Sequence, residues 1–279
     1  MTMEAAKHKT VIIDRTLPEI RSTLLRRSRL DILDLCWMLI NVGADIVEAD
    51  VELLKKMGRL PDGLAFILRA ESISDLEACL QFGIKHCIIR KSLLEQPGVP
   101  ELIKKEGLCA VLEVRANSIG SIKNLEGLGT LGNFEAVSCI RVFGLARVDT
   151  SEWLQSINYI KAVLEKEIDI CPDNRFFMGN AIVLEAATNG MEYVTASFSG
   201  FGLGCSYASL ELILPAMKLQ RSGVRKVNPD VLSILYEQFE KCSHVKIIRN
   251  KPVISSDSYS ERVIQYPGSF ITAGELFDA

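Results

Sequence analysis

Four side chains stand out as able to do chemistry together: Glu19, Asp169, Cys171 and Asp173. Brought to the carboxyl end of one sheet, such a carboxylate–thiolate set holds a metal such as zinc. The competing reading makes Asp169 and Cys171 pocket walls and Asp173 the cap of the next helix. A second candidate is Gly200-x-Gly202-x-Gly204, which follows an apolar run and opens a helical pattern. Backbone N–H groups at such a turn can cradle a phosphate, and a plain tight turn has the same glycines. Cys205 comes next, at a helix start that would lower a thiol pKa, although burial of a small residue explains it as well. His86, beside Cys87 in an apolar run, reads as a satisfied core histidine; His8 and His244 lie outside the strand candidates. Arg21, Arg26, Arg27 and Arg29 form a basic cluster. They are a solvated helix face or a seat for an acidic patch or a phosphate.

The elements that must position these groups are legible as alternation. Short apolar, β-rich runs at 10–15, 45–49, 64–69, 86–90, 109–115, 136–143, 168–171 and 193–198 predict strands. Between them, amphipathic stretches at 27–41, 51–57, 74–82, 100–106, 119–128, 151–165, 175–189 and 206–221 predict helices. Strict strand–helix alternation calls for a parallel sheet with right-handed crossovers. Eight such units in a chain of this length favour closure into a (β/α)₈ TIM barrel over an open sheet. Ser74 with Glu77 predicts a capping box, and Gly43, Gly83 and Gly190 sit where helices must stop. Past 221 the pattern changes: Asn228 as N-cap and Pro229 at the first position start one more helix, to 242. Residues 243–279 contain Ser, Pro and Gly with little periodicity and read as an extended arm that needs a surface, such as another subunit. The expected organisation is a barrel over 1–222, then a C-terminal helix and extended arm over 223–279.

Composition narrows the classes. The 279 residues are 48% hydrophobic, ample for one large core, and the net charge of −3 favours neither nucleic acid nor an anionic membrane. No run approaches the roughly 18 apolar residues of a membrane span, and residues 1–10 lack the apolar core of a signal peptide. The eight cysteines are scattered singly, without a CxxC pair, which reads as reduced, buried thiols in a cytoplasmic protein.

Residues 168–210 run strand, turn, helix, strand, glycine-rich turn, helix. In that order and spacing they resemble the homocitrate synthase and isopropylmalate synthase family. These are metal-dependent (β/α)₈ enzymes that join acetyl-CoA to a 2-oxo acid. The opening Asp14-Arg15-Thr16-Leu17-Pro18-Glu19 is similar to the family's Asp-Thr-Thr-Leu-Arg-(Asp/Glu). There Glu19 falls on the acidic metal ligand and Pro18 on the catalytic arginine. Gly43-Ala44-Asp45-Ile46-Val47-Glu48 matches the second-strand motif and keeps its acid at Glu48. Phe143-Gly144-Leu145 replaces the stretch carrying the threonine that binds the oxo-acid carboxylate. Asp169 and Cys171 replace the two metal-binding histidines, and the turn after strand eight keeps its glycines but loses its Glu-Arg and Asn. Lys251-Pro252-Val253 matches a later motif, and Gln265 takes the place of a histidine.

The resemblance implies a barrel, a divalent metal and acetyl-CoA as co-substrate. Five replaced positions at separate barrel ends imply in addition that selection on the reaction has lapsed. The first expectation is a degenerate centre in a partner or regulatory subunit of an active homocitrate-synthase-like paralogue, as homo- or hetero-oligomer. Split synthases of that kind exist in nitrogen-fixing bacteria. The extended arm and the Arg21–Arg29 face are the expected contacts, or, for the arginines, a CoA phosphate. The alternative is a divergent acyltransferase or carbon–carbon lyase that uses Glu19, Asp169 and Cys171 or Asp173 around an altered metal. A weaker third is a barrel that senses an oxo acid or a CoA ester.

Overall fold

The computed structural model describes residues 10–145, 152–176, 178–202, 207–220, 229–244, 264–266 and 269–271. Eight strands close a barrel in chain order. They are β1 (Val11–Asp14), β2 (Ile46–Asp50), β3 (Phe66–Arg69), β4 (His86–Ile89), β5 (Cys109–Ala116), β6 (Val137–Gly144), β7 (Glu167–Pro172) and β8 (Tyr193–Ala196). Every neighbouring pair is parallel, and β1 seals against β8 with Val11 opposite Tyr193 and Asp14 opposite Ala196. The expected TIM barrel is therefore present, with strand ends displaced by no more than two residues from the apolar runs.

The helices are α1 (Thr16–Glu19), α2 (Arg21–Leu24), α3 (Arg29–Val42), α4 (Val51–Met57), α5 (Ile73–Gln81), α6 (Lys91–Leu94), α7 (Val99–Glu106), α8 (Ile119–Lys123), α9 (Trp153–Leu164), α10 (Gly179–Thr188), α11 (Leu210–Gln220) and α12 (Pro229–Ser243). The single-turn pieces α1, α2 and α6 were not expected; four residues are too few to show a helical period. The stretch expected as one helix over 119–128 gives way after Lys123 to 3₁₀ turns over Asn124–Thr130. Gly127 and Gly129 in that stretch make a continued α-helix costly. The capping box sits two residues before the expected Ser74–Glu77 pair. Ser72 is the N-cap, and Asp75 reaches back to the amides of Glu71 and Ser72 at 2.8 and 3.0 Å. Ser74 instead hydrogen-bonds the Ser72 hydroxyl at 2.8 Å.

Two apolar layers make the core. Inside the barrel Ile13, Ile67, Ile88, Val111 and Cys139 cluster at the amino-terminal half of the strands. Outside, Val47, Leu68, Ile89, Leu112, Ile140, Ile170 and Val194 pack under the helices. Gly43, at φ +130°, ends α3, and a Cβ there would meet Leu214 of α11 at 2.9 Å, so this crossing needs glycine. Helix α12 lies along α3, with Leu235 and Phe239 fully buried and the Gln238 amide donating to the Asp31 carbonyl. Phe198, just past β8, packs tilted against Tyr236 at 4.7 Å and edge-on to Phe239 at 5.3 Å, both on α12. Within the stretch expected as an extended arm, β9 (Ile264–Tyr266) pairs antiparallel with β10 (Ser269–Ile271). Ser243 ends α12 and His244 follows it; the rest of that arm, and the N-cap expected at Asn228, lie outside the described residues. The cysteines among the described residues are free thiols, all buried except the partly exposed Cys109.

Candidate functional site: a polar layer across the barrel axis

Alternation along each strand sends every second side chain into the barrel. Above the inner apolar cluster the inward positions turn polar: Glu48 on β2, Arg69 on β3, Glu113 on β5, Arg141 on β6, Asp169 on β7 and Thr195 on β8. Sheet register sets Arg141 directly beside Glu113 on one side and Asp169 on the other. Its Nε donates to Asp169 Oδ2 at 2.5 Å, and its Nη1 crosses to Glu48 Oε2 at 2.5 Å. Strands β2 and β6 face each other across the eight-membered ring, so this guanidinium bridges the barrel's diameter. Arg69 completes the layer, donating to Glu48 at 3.0 Å and in a two-pronged grip to Glu113 at 2.9 and 2.6 Å. The Thr195 hydroxyl donates to Asp169 at 2.9 Å. Burial would raise the Glu48 carboxyl, but Arg141, Arg69 and Arg15 outweigh it and hold it well below the usual carboxylate range.

The carboxyl-terminal mouth is closed by Arg15, the residue following β1. Pro18 suits the first turn of a helix, and the turn α1 that contains it sets Glu19 four residues beyond Arg15. Arg15 donates to Glu19 Oε1 from Nε at 3.2 Å and from Nη2 at 2.8 Å, and from Nη1 to Cys171 Sγ at 3.4 Å. The same guanidinium lies 4.2 Å from the Tyr207 ring centre and 5.9 Å from that of Phe143. Burial pushes the Cys171 thiol up to about 11, against the pull of Arg15 and Arg141, so it is protonated at neutral pH. Asp14, one residue earlier and facing the helix shell, accepts from the Thr16 amide at 2.9 Å and hydroxyl at 2.8 Å. Burial raises its carboxyl to about 7 even so.

The structure brings Glu19 and Cys171 to one place through Arg15, and Asp169 next to them through Arg141. All three are engaged within the chain. Two are held by guanidinium groups and the third is a protonated thiol. Among the described residues no group of three or more His, Cys, Asp and Glu side chains is set to hold a metal. A divalent cation would sit among permanent positive charges, so the residues as arranged do not fit the metal that the resemblance implies. Asp173 does not cap α10. It pairs with Arg175 at 2.5 Å, five residues separate it from the helix, and Asn174 accepts from the first helical amide at 2.8 Å.

The glycine turn is a tight, hydrogen-bonded bend of the backbone. Gly200 has φ +64°, its amide donates to the Ser197 carbonyl and its carbonyl accepts from the Tyr207 amide. A Cβ there would lie 2.7 Å from Ser209 Oγ and 2.9 Å from the Tyr207 carbonyl. Gly200→Ala is expected to cost roughly 1–3 kcal/mol, checked by urea unfolding; an unchanged midpoint would refute it. Gly204 and Cys205 lie outside the described residues, and Gly202 follows the turn half-buried. The basic cluster is tied to its own chain. Arg21 pairs with Asp50 and Glu52, Arg27 donates to the Lys241 carbonyl and the His244 ring, and Arg29 donates to the Arg59 carbonyl; Arg26 is exposed. His86 is half-buried at the opposite, amino-terminal mouth. There it lines a cavity of about 50 Å³ with Cys109, Cys139, Glu167 and Tyr193.

The closed all-parallel eight-stranded barrel is a fold this chain shares with solved structures of hydroxymethylglutaryl-CoA lyases. The chain superposes on that lyase from Pseudomonas aeruginosa with a TM-score of 0.66 and 12% identity, covering 90% of this chain and 96% of the other. The carboxyl transferase domain of Rhizobium etli pyruvate carboxylase gives 0.65 at 13% identity, covering 92% and 51%. In sequence the chain is similar to the homocitrate synthase omega subunit of Clostridium pasteurianum, 24% identical over 256 residues, 90% of this chain and 71% of that one. The resemblance to homocitrate synthases seen in the motifs thus extends over nearly the whole chain. No family model matches it. Among the described residues no helix is long and apolar enough to cross a membrane.

Proposed function

We propose that this chain is a homocitrate-synthase-like subunit that does not itself condense acetyl-CoA with a 2-oxo acid, and that it serves an active paralogue as partner or regulatory subunit. One observation carries the reading: guanidinium groups of the chain itself hold the acids aligned with the family's metal positions, Arg15 on Glu19 and Arg141 on Asp169. Enolising a thioester requires a base of suitable pKa and positive charge where the oxyanion develops. Glu48, held far below the usual range, is a weak base. Pro18, standing where the family has arginine, donates nothing. The relative from Clostridium pasteurianum supports the subunit role, being named as one subunit of a synthase.

A thiol-release assay tests this, with acetyl-CoA, a panel of 2-oxo acids and added divalent metal. The chain is run alone and mixed with a homocitrate synthase paralogue from the same genome. Expected is no release above background alone, and a rate in the mixture that differs from the paralogue's own by several-fold. Turnover by the chain alone would overturn the inert reading. A mixture indistinguishable from the paralogue, with no co-elution on gel filtration, would overturn the partner reading.

A further inference from the structure

We propose that the Arg15 guanidinium is the resident cation of the barrel mouth, seated where a divalent ion would otherwise bind between Glu19 and Cys171. The inference rests on the reading of the centre as inert, and it needs no partner. Geometry supplies the first support. Arg15 is buried, both Nε and Nη2 address one Glu19 oxygen, Nη1 addresses the Cys171 sulfur, and the Tyr207 ring covers its face. A soft thiol and a hard carboxylate on opposite edges of one cation are donors that zinc or cobalt takes readily.

Charge supplies the second. The polar layer and mouth bring together four carboxylates, Glu19, Glu48, Glu113 and Asp169, and three guanidiniums, Arg15, Arg69 and Arg141. A divalent ion added beside Arg15 meets a permanent positive charge already within hydrogen-bonding distance of both its ligands, a costly arrangement in a buried site. With Arg15 gone, a divalent ion together with the Cys171 thiolate it binds restores the single positive charge that was lost. The third support is Arg141 Nη2, a buried donor without a hydrogen-bond partner among the described residues. A centre with a spare N–H donor is over-supplied with cationic hydrogen-bonding capacity, the opposite of a metal site, which gathers acceptors.

The full chain, tag-free and stripped of metal, is titrated with cobalt(II). Absorption is followed in the near ultraviolet, where thiolate-to-cobalt charge transfer appears, and stoichiometry comes from elemental analysis. The wild type is expected to show no stoichiometric cobalt and no thiolate band. Arg15→Ala is expected to take up one equivalent with the band, and Arg15→Ala/Cys171→Ser to lose the band. Arg15→Lys, which restores a cation, is expected to behave as wild type. Arg15→Gln serves as a second cavity-forming variant should Arg15→Ala melt below the assay temperature. One equivalent of cobalt in the wild type overturns the proposal, and so does failure of both folded variants to gain it. Neither result depends on whether the chain changes a paralogue's rate, so this inference and the partner reading fail separately.

Discussion

Arg141→Met is expected to lower the thermal unfolding midpoint by about 10 °C. The substitution removes the group that both crosses the barrel to Glu48 and flanks Asp169. Both acids are fully buried, so neither can recover its loss from water. Glu48 keeps Arg69 and Asp169 keeps the Thr195 hydroxyl, each a partial remedy. Taking one partner from a buried ion pair costs roughly 3–5 kcal/mol, and each kcal/mol moves the midpoint of a domain this size by about 2–4 °C. Calorimetry at pH 7 reads the shift. The double variant Arg141→Met/Asp169→Asn should regain part of the loss, because it also removes the stranded charge. A single variant within about 2 °C of wild type would show that the strut contributes little.

Asp14→Asn is expected to be more stable than wild type above neutral pH, with the gap closing in acid. The Asp14 carboxyl, near the unfolded value of 3.8 in the open chain, is raised to about 7 in the fold, first by burial and further by Glu48 and Glu211. The folded chain therefore holds this proton more tightly than the unfolded chain. Its contribution is whole below about pH 4, drains away as pH climbs to about 7, and stays lost above that. Three units correspond to on the order of 4 kcal/mol. Asparagine carries no charge to bury, and its amide can still bond the Thr16 amide and hydroxyl. Urea midpoints of both proteins between pH 4 and 8 give the difference. A gap that does not widen with pH would show that Asp14 ionises in the fold as freely as in the open chain.

The fold was legible in the sequence because a buried parallel strand announces itself as a short apolar run between helical periods. All eight runs became strands of one barrel. The centre was legible only in part. Glu19, Asp169 and Cys171 were found through the resemblance, and the structure gathers them. Arg15 stood inside the opening motif without a role assigned to it, and Arg69, Glu113 and Arg141 went unmarked because no motif contains them. A signal was nevertheless present. Phe-Ile-Leu-Arg at 66–69, Val-Leu-Glu-Val at 111–114 and Cys-Ile-Arg-Val at 139–142 each set one charge in an otherwise apolar strand. A charge so placed must be buried and must therefore be paired. Which charge meets which was not readable, since the pairing across the axis follows from strand order and register. The Ser72 box escaped for a smaller reason: aspartate, one methylene shorter than glutamate, does the same work at the third position.

The crossing from Arg141 to Glu48 spans 93 positions of chain. On the ribosome the second strand emerges well before the sixth, and until that later strand is made Glu48 has only Arg69 and water to answer it. Half a barrel would leave Arg141 facing two acids with one of its partners missing, or Glu48 facing a void. The growing chain thus gains little by settling early, and the reward for closing the ring arrives all at once, late in synthesis. The timetable of folding is itself a reason for the chain to keep this buried layer intact, whatever else the barrel does.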